Sequence, residues 1–353
     1  MKVKIQKIKS PILFIGLILS LAVMVVSCKK QFDESEHASF KSKQGPQKEE
    51  IVAVANRGDG SVSFIDAMSD NVVGTLSIAG SEPMYVVYVE ARDKVYVGDR
   101  AQSKVHVINP ATREVEGSID VGNGVFHMWA GGNGDQLWVN NDIDETTSVI
   151  DLNTHTVIET ISIGAKPHDV FVTEDGSRAY ISVFQPGEDA DQVFMYSTST
   201  LQKTGEQDVG RDPHLYHLFR KDKLYVPCQS GQVYALDGSD LSIISEMEFP
   251  GAHGIYGTLN QNTLFVTNLP GAQIFSINAI KDEQIGEPAS SDPIPHNIVV
   301  NKKASKLFVT HSGGAANTLS VFDIGPHEEL TYSTTVTIGA NPFGLAYYQR
   351  HTN

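Results

Sequence analysis

A short apolar run returns seven times in this chain at nearly even spacing, and that regularity constrains its fold more than any other feature. The runs are Ile51-Val52-Ala53-Val54, Val95-Tyr96-Val97, Leu137-Trp138-Val139, Ala179-Tyr180-Ile181-Ser182, Leu224-Tyr225-Val226, Leu264-Phe265-Val266 and Leu307-Phe308-Val309. Their starts lie 44, 42, 42, 45, 40 and 43 residues apart. A period of about 40–45 residues holding four strand-like runs is the signature of a propeller blade. No stretch within the repeats keeps a 3.6-residue apolar period long enough for a helix. The expectation is an all-β, seven-bladed β-propeller over residues 51–353, with four antiparallel strands per blade.

The unit from Leu137 to Arg178 shows the four runs. They are Leu137 to Asn140, Ser148 to Asp151, Val157 to Ile163 and Pro167 to Val172. Each is rich in β-branched or aromatic residues and bounded by Gly, Asn, Asp or Pro. An Asx residue closes the second run at Asp66, Asn109, Asp151, Asp237, Asn278 and Asp323. There a side-chain oxygen can bond the backbone two residues on and set a tight turn. Each unit reads as strands B, C and D, then the innermost strand A of the next blade. The last apolar run, from Pro342 to Tyr348, is therefore the missing A strand of the first blade. It closes the ring and hides two sheet edges.

The repeat pattern, L-[FY]-V-[TA]-N, then S-V-x-V-I-D, then T-I-x-I-G-x-x-P-H-x-V-x-V, resembles the YVTN-type propeller repeat. That family includes YncE-like periplasmic proteins and surface-layer proteins. The resemblance covers residues 51–348 and implies the same propeller fold. No Trp-Asp closes a blade, unlike WD40 repeats.

Lys2, Lys4, Lys7 and Lys9 precede an apolar run from Ile12 to Val26, the layout of a secretory signal. Val25-Val26-Ser27-Cys28 resembles a bacterial lipobox. On that reading residues 1–27 are removed and Cys28 carries the lipid. Cleavage removes four lysines and no acid, so the formal charge goes from −15 to −19. Residues 28–50 are polar and read as a flexible linker. Lys29-Lys30 followed by Asp33, Glu34 and Glu36 looks like the tether of surface-exported lipoproteins in some Gram-negative bacteria. The location expected is the cell envelope, as an outer-membrane lipoprotein on the periplasmic or outer side. Lipidation would consume one of the two cysteines, leaving Cys228 alone and no intramolecular disulfide. The acidic balance, with no cluster of Lys and Arg, argues against a nucleic-acid partner.

The residues opening each A strand carry the candidate site. They read Pro83-Met84, Val125-Phe126, Pro167-His168, Pro213-His214, Ala252-His253, Pro295-His296 and Pro342-Phe343. Four consecutive blades place His at one position, in a chain with 12 His. Strand A lines the channel, so this arc belongs near its mouth. His311, Arg57, Arg100, Asn268 and Cys228 are expected on the same face. Converging neutral imidazoles suit copper or another transition metal, with protonation near pH 6.5 competing for the ligand atoms. The competing expectation is that each ring fills a wedge between blades, since Met84, Phe126 and Phe343 occupy equivalent slots.

Three functions follow. The first is a lipid-anchored protein that binds a small ligand or metal at the His-lined mouth. Surface lipoprotein propellers that capture corrinoids for an outer-membrane transporter look similar in fold, length and tether. The second is an envelope enzyme of lactonase or lyase type with a mouth His as general base. The third is an interaction scaffold. No nucleophile elbow, P-loop, dinucleotide fingerprint or His-Glu-x-x-His motif occurs.

Overall fold

The computed structural model describes residues 47–352. The expected signal segment, Cys28 and nearly all of the expected linker lie outside the described residues. The described chain forms 28 strands in seven four-stranded antiparallel sheets, from β1 (Gln47–Asn56) to β28 (Pro342–Thr352). Six sheets use consecutive strands. The seventh runs β28-β1-β2-β3, where β2 is Ser61–Asp66 and β3 is Asn71–Ser77, so the last strand completes the first blade. This is the expected seven-bladed propeller and the expected closure.

The closing pair is longer than the sequence pattern indicated. β1 begins at Gln47 rather than Ile51, because Gln47 to Glu50 pair with Thr352 to Gln349. Arg350 clamps this extension through Glu49 at 2.9 Å and Asp93 of the next blade at 3.2 Å.

Apolar side chains meet in the wedges between blades. Ile51, Phe64 and Tyr348 of the first blade pack with Val86, Val95 and Ile108 of the second. Tyr180 of the fourth blade packs with Leu224 and Val226 of the fifth. The Asx turns form as their chemistry requires: the Asp66 carboxylate accepts from the backbone of Met68 and Ser69, and the Asn109 side-chain carbonyl accepts from Ala111 and Thr112. Four residues after the end of the second run, or five in the last blade, a residue with positive φ recurs at Asp70, Arg113, His155, Leu201, Leu241, Asp282 and Glu328. It turns the chain from strand C into strand D in every blade.

The inner strands other than β28 open at β4 (Pro83–Val89), β8 (Val125–Ala130), β12 (Lys166–Val172), β16 (Tyr216–Leu218), β20 (Ala252–Gly257) and β24 (Pro295–Val300). Their pairing with strand B is interrupted just inside the mouth, between Pro83 and Val86, Val125 and Met128, Pro167 and Val170, Ala252 and Ile255, and Pro295 and Ile298. Such a bulge suspends the in-out alternation of a strand and frees backbone groups that then need partners. The neighbouring blade supplies them. Asn140 donates to the His168 carbonyl at 2.9 Å, Thr267 to that of His296 at 2.9 Å, and Thr310 to that of Phe343 at 2.8 Å.

Deleting residues 342–353 should leave β1 as an unpaired edge. The expected outcome is a lower, less cooperative melting transition and fast hydrogen exchange at the Ile51 and Ala53 amides, which face β28. Unchanged melting would contradict the closure.

Candidate functional site

The side chains just inside the mouth form a closed ring. Ring-centroid distances run Phe126–His168 4.8 Å, His168–His214 4.7 Å, His214–His253 3.8 Å, His253–His296 4.6 Å, His296–Phe343 4.3 Å and Phe343–Phe126 5.8 Å. Met84 fills the seventh slot and is fully buried. The four histidines of the sequence arc thus meet, but as a packed and buried plug, not as the lining of an open funnel. Gly254 permits the close approach of His253 and His296: a Cβ there would lie 2.1 Å from the His296 carbonyl oxygen.

Two acidic residues join the arc that the histidine alignment did not single out. The Asp169 carboxylate lies 3.2 Å from His214 Nδ1 and accepts from the Leu215 amide at 3.2 Å. Asp212 Oδ1 lies 3.2 Å from His168 Nε2 and 3.8 Å from His214 Nε2. Asp212 has φ 55°, a left-handed conformation shared by Gly124, Gly251, Ile294 and Asn341 at equivalent positions. The conformation belongs to the connection; the carboxylate aimed at the ring is particular to Asp212. The sequence signal was adjacency: His168-Asp169 and Asp212-Pro213-His214.

His168 Nε2, His214 Nε2, His253 Nδ1, Asp212 Oδ1 and Asp169 Oδ1 are buried without a hydrogen-bond partner. Ligand atoms of His168, Asp169 and His214 lie within 4.8 Å of one another, as do those of Asp212, His214 and His253. Four donors around a tetrahedral ion at about 2.0–2.1 Å sit roughly 3.3 Å apart, close to the 3.2 and 3.8 Å separations at Asp212. Asp169 holds His214 through Nδ1 and leaves Nε2 directed at Asp212, the arrangement that orients a metal-binding imidazole.

Electrostatics separate the four rings. Burial holds His168 and His296 near pKa 3 and His253 well below its ordinary value. Burial also opposes a charge on His214, but Asp169 outweighs it and raises the pKa. Burial would raise the Asp169 carboxyl, yet His127 and His214 bring it below the usual range. Burial raises Asp212. A single positive charge is therefore favoured at His214, between two carboxylates, while the adjacent imidazoles stay neutral. Proton competition, expected near pH 6.5 for every ring, is thereby displaced to lower pH at three of them and to higher pH at His214.

The remaining candidates stay outside the cluster. Both His311 nitrogens are occupied, by the Pro293 carbonyl at 3.1 Å and Ser320 Oγ at 2.8 Å. The Asn268 amide bonds Gln273 and its carbonyl accepts from Gly271 in a local turn. Arg57 pairs with Glu82 at 2.6 Å, its guanidinium 5.7 Å from the Phe343 ring. Arg100 pairs with Asp142 at 2.8 Å. Cys228 is buried, which pushes its thiol pKa up.

No protein-family model matches the chain, and no curated protein matches it in sequence. Solved structures do match in fold. A candidate 6-phosphogluconolactonase of Bacteroides fragilis superposes with TM-score 0.69 at 15% identity, covering 85% of this chain and 98% of that one. The periplasmic gluconolactonase of Pseudomonas aeruginosa gives 0.68 at 16% identity, covering 85% and 99%. The hydrazine synthase of Kuenenia stuttgartiensis gives 0.65 at 13%, covering 78% and 97%. These likenesses establish the fold shared with this chain.

Between the unfolded pKa near 6.5 and the folded value near 3, His168 and His296 bind more protons unfolded than folded. Stability should fall as pH drops through that window. His296→Phe, which copies Phe126 and Phe343, should fold and flatten the loss. Urea midpoints at pH 7, 5.5 and 4 check this; parallel slopes for both proteins would contradict it.

Proposed function

We propose that this chain is a lipid-anchored envelope protein that holds one divalent transition-metal ion at the channel mouth. His168, His214, His253 and Asp212 would be the ligands and Asp169 the orienting partner. The observation that carries the reading is that ligand atoms of Asp212, His214 and His253 lie within 4.8 Å of one another, with His168 Nε2 3.2 Å from the same Asp212 oxygen. Burying His214 Nε2 and His253 Nδ1 without a partner costs about 1–3 kcal/mol per group. Three nitrogens and one oxygen suit zinc or copper(II) better than magnesium or calcium. His296 belongs to the packed ring and, on this reading, is not a ligand. The ring closes the mouth, so a corrinoid would rest on the rim, not enter.

Isothermal titration of metal-free protein with zinc and copper(II) should give one site per chain. His168→Ala/Asp212→Ala should weaken binding by at least a hundredfold, while His296→Phe should change it less than threefold. Absence of binding to wild type, or equal binding by the double variant, overturns the assignment.

A second reading, a metal-assisted lactonase, is supported by access. Asp212 and His168 have side chains 27% and 11% exposed, so an ion between them could meet a substrate from the rim. The lactonase-named fold neighbours are consistent with it. Zinc-loaded protein should then open an aldonolactone faster than metal-free protein does.

The anchor, an outer-membrane transporter partner and kinship with YVTN-repeat proteins are proposals resting on the lipobox-like segment and the repeat pattern. Cys28→Ser should abolish acyl labelling in cells; retained labelling would contradict the anchor.

A further inference from the structure

The channel carries a second, unrelated chamber at its other end. Beneath the histidine plug a small cavity of about 50 Å³ touches Asp169, Tyr216 and Tyr256. Tyr216, Tyr256 and Trp129 also line a larger cavity of about 360 Å³ at the far mouth. That size lies within the range of small-molecule sites.

On one side stand Trp129, Tyr216 and Tyr256; behind them Phe171 stacks on Trp129 (4.5 Å) and meets Tyr216 (5.5 Å), and Tyr216 lies 5.0 Å from Tyr256. The opposite wall mixes Val87, Val299 and Leu345 with Tyr88, Tyr347 and Tyr348. Glu174 stands at the rim, its carboxylate within 2.6 Å of where a Cβ on Gly132 would lie. Its negative field reaches both Tyr216 and Tyr256. Among the described residues the Glu174 carboxylate has neither an ion-pair nor a hydrogen-bond partner, in contrast to the Arg57–Glu82 and Arg100–Asp142 pairs at the histidine mouth.

We propose that the far mouth binds a small organic cation of the quaternary or primary ammonium class. The electron-rich faces of Trp129, Tyr216 and Tyr256 attract a cation, Glu174 supplies the counter-charge, and Val87, Val299 and Leu345 opposite receive an alkyl chain. An anion would meet Glu90 and Glu174 at the rim against Lys302 alone. The assignment does not depend on the metal centre, which lies at the other mouth.

Choline is the probe, and 3,3-dimethylbutanol, its neutral isostere, is the control. Tryptophan fluorescence and calorimetry of metal-free wild type should show saturable choline binding, at least tenfold tighter than 3,3-dimethylbutanol. Trp129→Leu should weaken it by about fivefold to thirtyfold. Glu174→Gln, an exposed substitution that spares the core, should weaken choline and leave the alcohol unchanged. Sedimentation with phosphatidylcholine vesicles distinguishes a lipid headgroup from a free solute; Glu174-dependent sedimentation supports the headgroup as source, and its absence alongside choline binding supports the free cation. No choline binding, equal binding of the neutral isostere, or unchanged binding by Glu174→Gln overturns the proposal.

Discussion

The antiparallel pairing of β28 with β1 is the constraint on which the rest of the structure depends. Without it seven sheets would form an open arc with two exposed edges. With it the seven inner strands must share one axis, and the residues opening them must share one ring. Phe343 makes the point concretely. It lies in the closing strand, yet it stands between His296 and Phe126 and completes the circle of side chains at the mouth.

A ring of that radius forces imidazoles together, and the charge arrangement follows. Four protonated rings at centroid separations of 3.8–4.7 Å would repel one another in a buried site. Burial keeps three neutral. The fourth, His214, lies between Asp169 and Asp212, where positive charge is favoured. The mouth therefore favours one positive charge, at His214. Among the described residues, the far end of the same axis combines aromatic faces with an unpaired carboxylate and has no histidine in its lining. One barrel-like scaffold thus presents two chemically distinct ends, because successive residues of the inner strands fall at successive depths in the channel.

Much of this was legible in one dimension. The repeat of the apolar runs implied seven blades, the Asx residues implied the C–D turns, and the leftover run at Pro342 implied the closure. The alignment of His168, His214, His253 and His296 found the arc. It could not weigh Asp169 and Asp212, because one follows its histidine and the other precedes His214 by two. Only in space do they reach the same nitrogens. His311 and Asn268 illustrate the opposite limit. They end B strands on the correct face, but their polar atoms are spent on Ser320 and Gln273 across the hairpin.

The sequence by itself determined the periodicity, the strand order and which residue types open each inner strand, since these are local or repeating properties of the chain. The tertiary structure alone decided where those side chains point. A regular strand alternates its side chains, and parity would have sent either His168 or Asp169 away from the axis. The bulge after each A-strand opening suspends that alternation, and the carbonyl it exposes at His168, His296 and Phe343 is held by the neighbouring blade. The orientation of the site thus rests on hydrogen bonds between residues 28 to 33 positions apart in sequence, which no reading of a single strand contains.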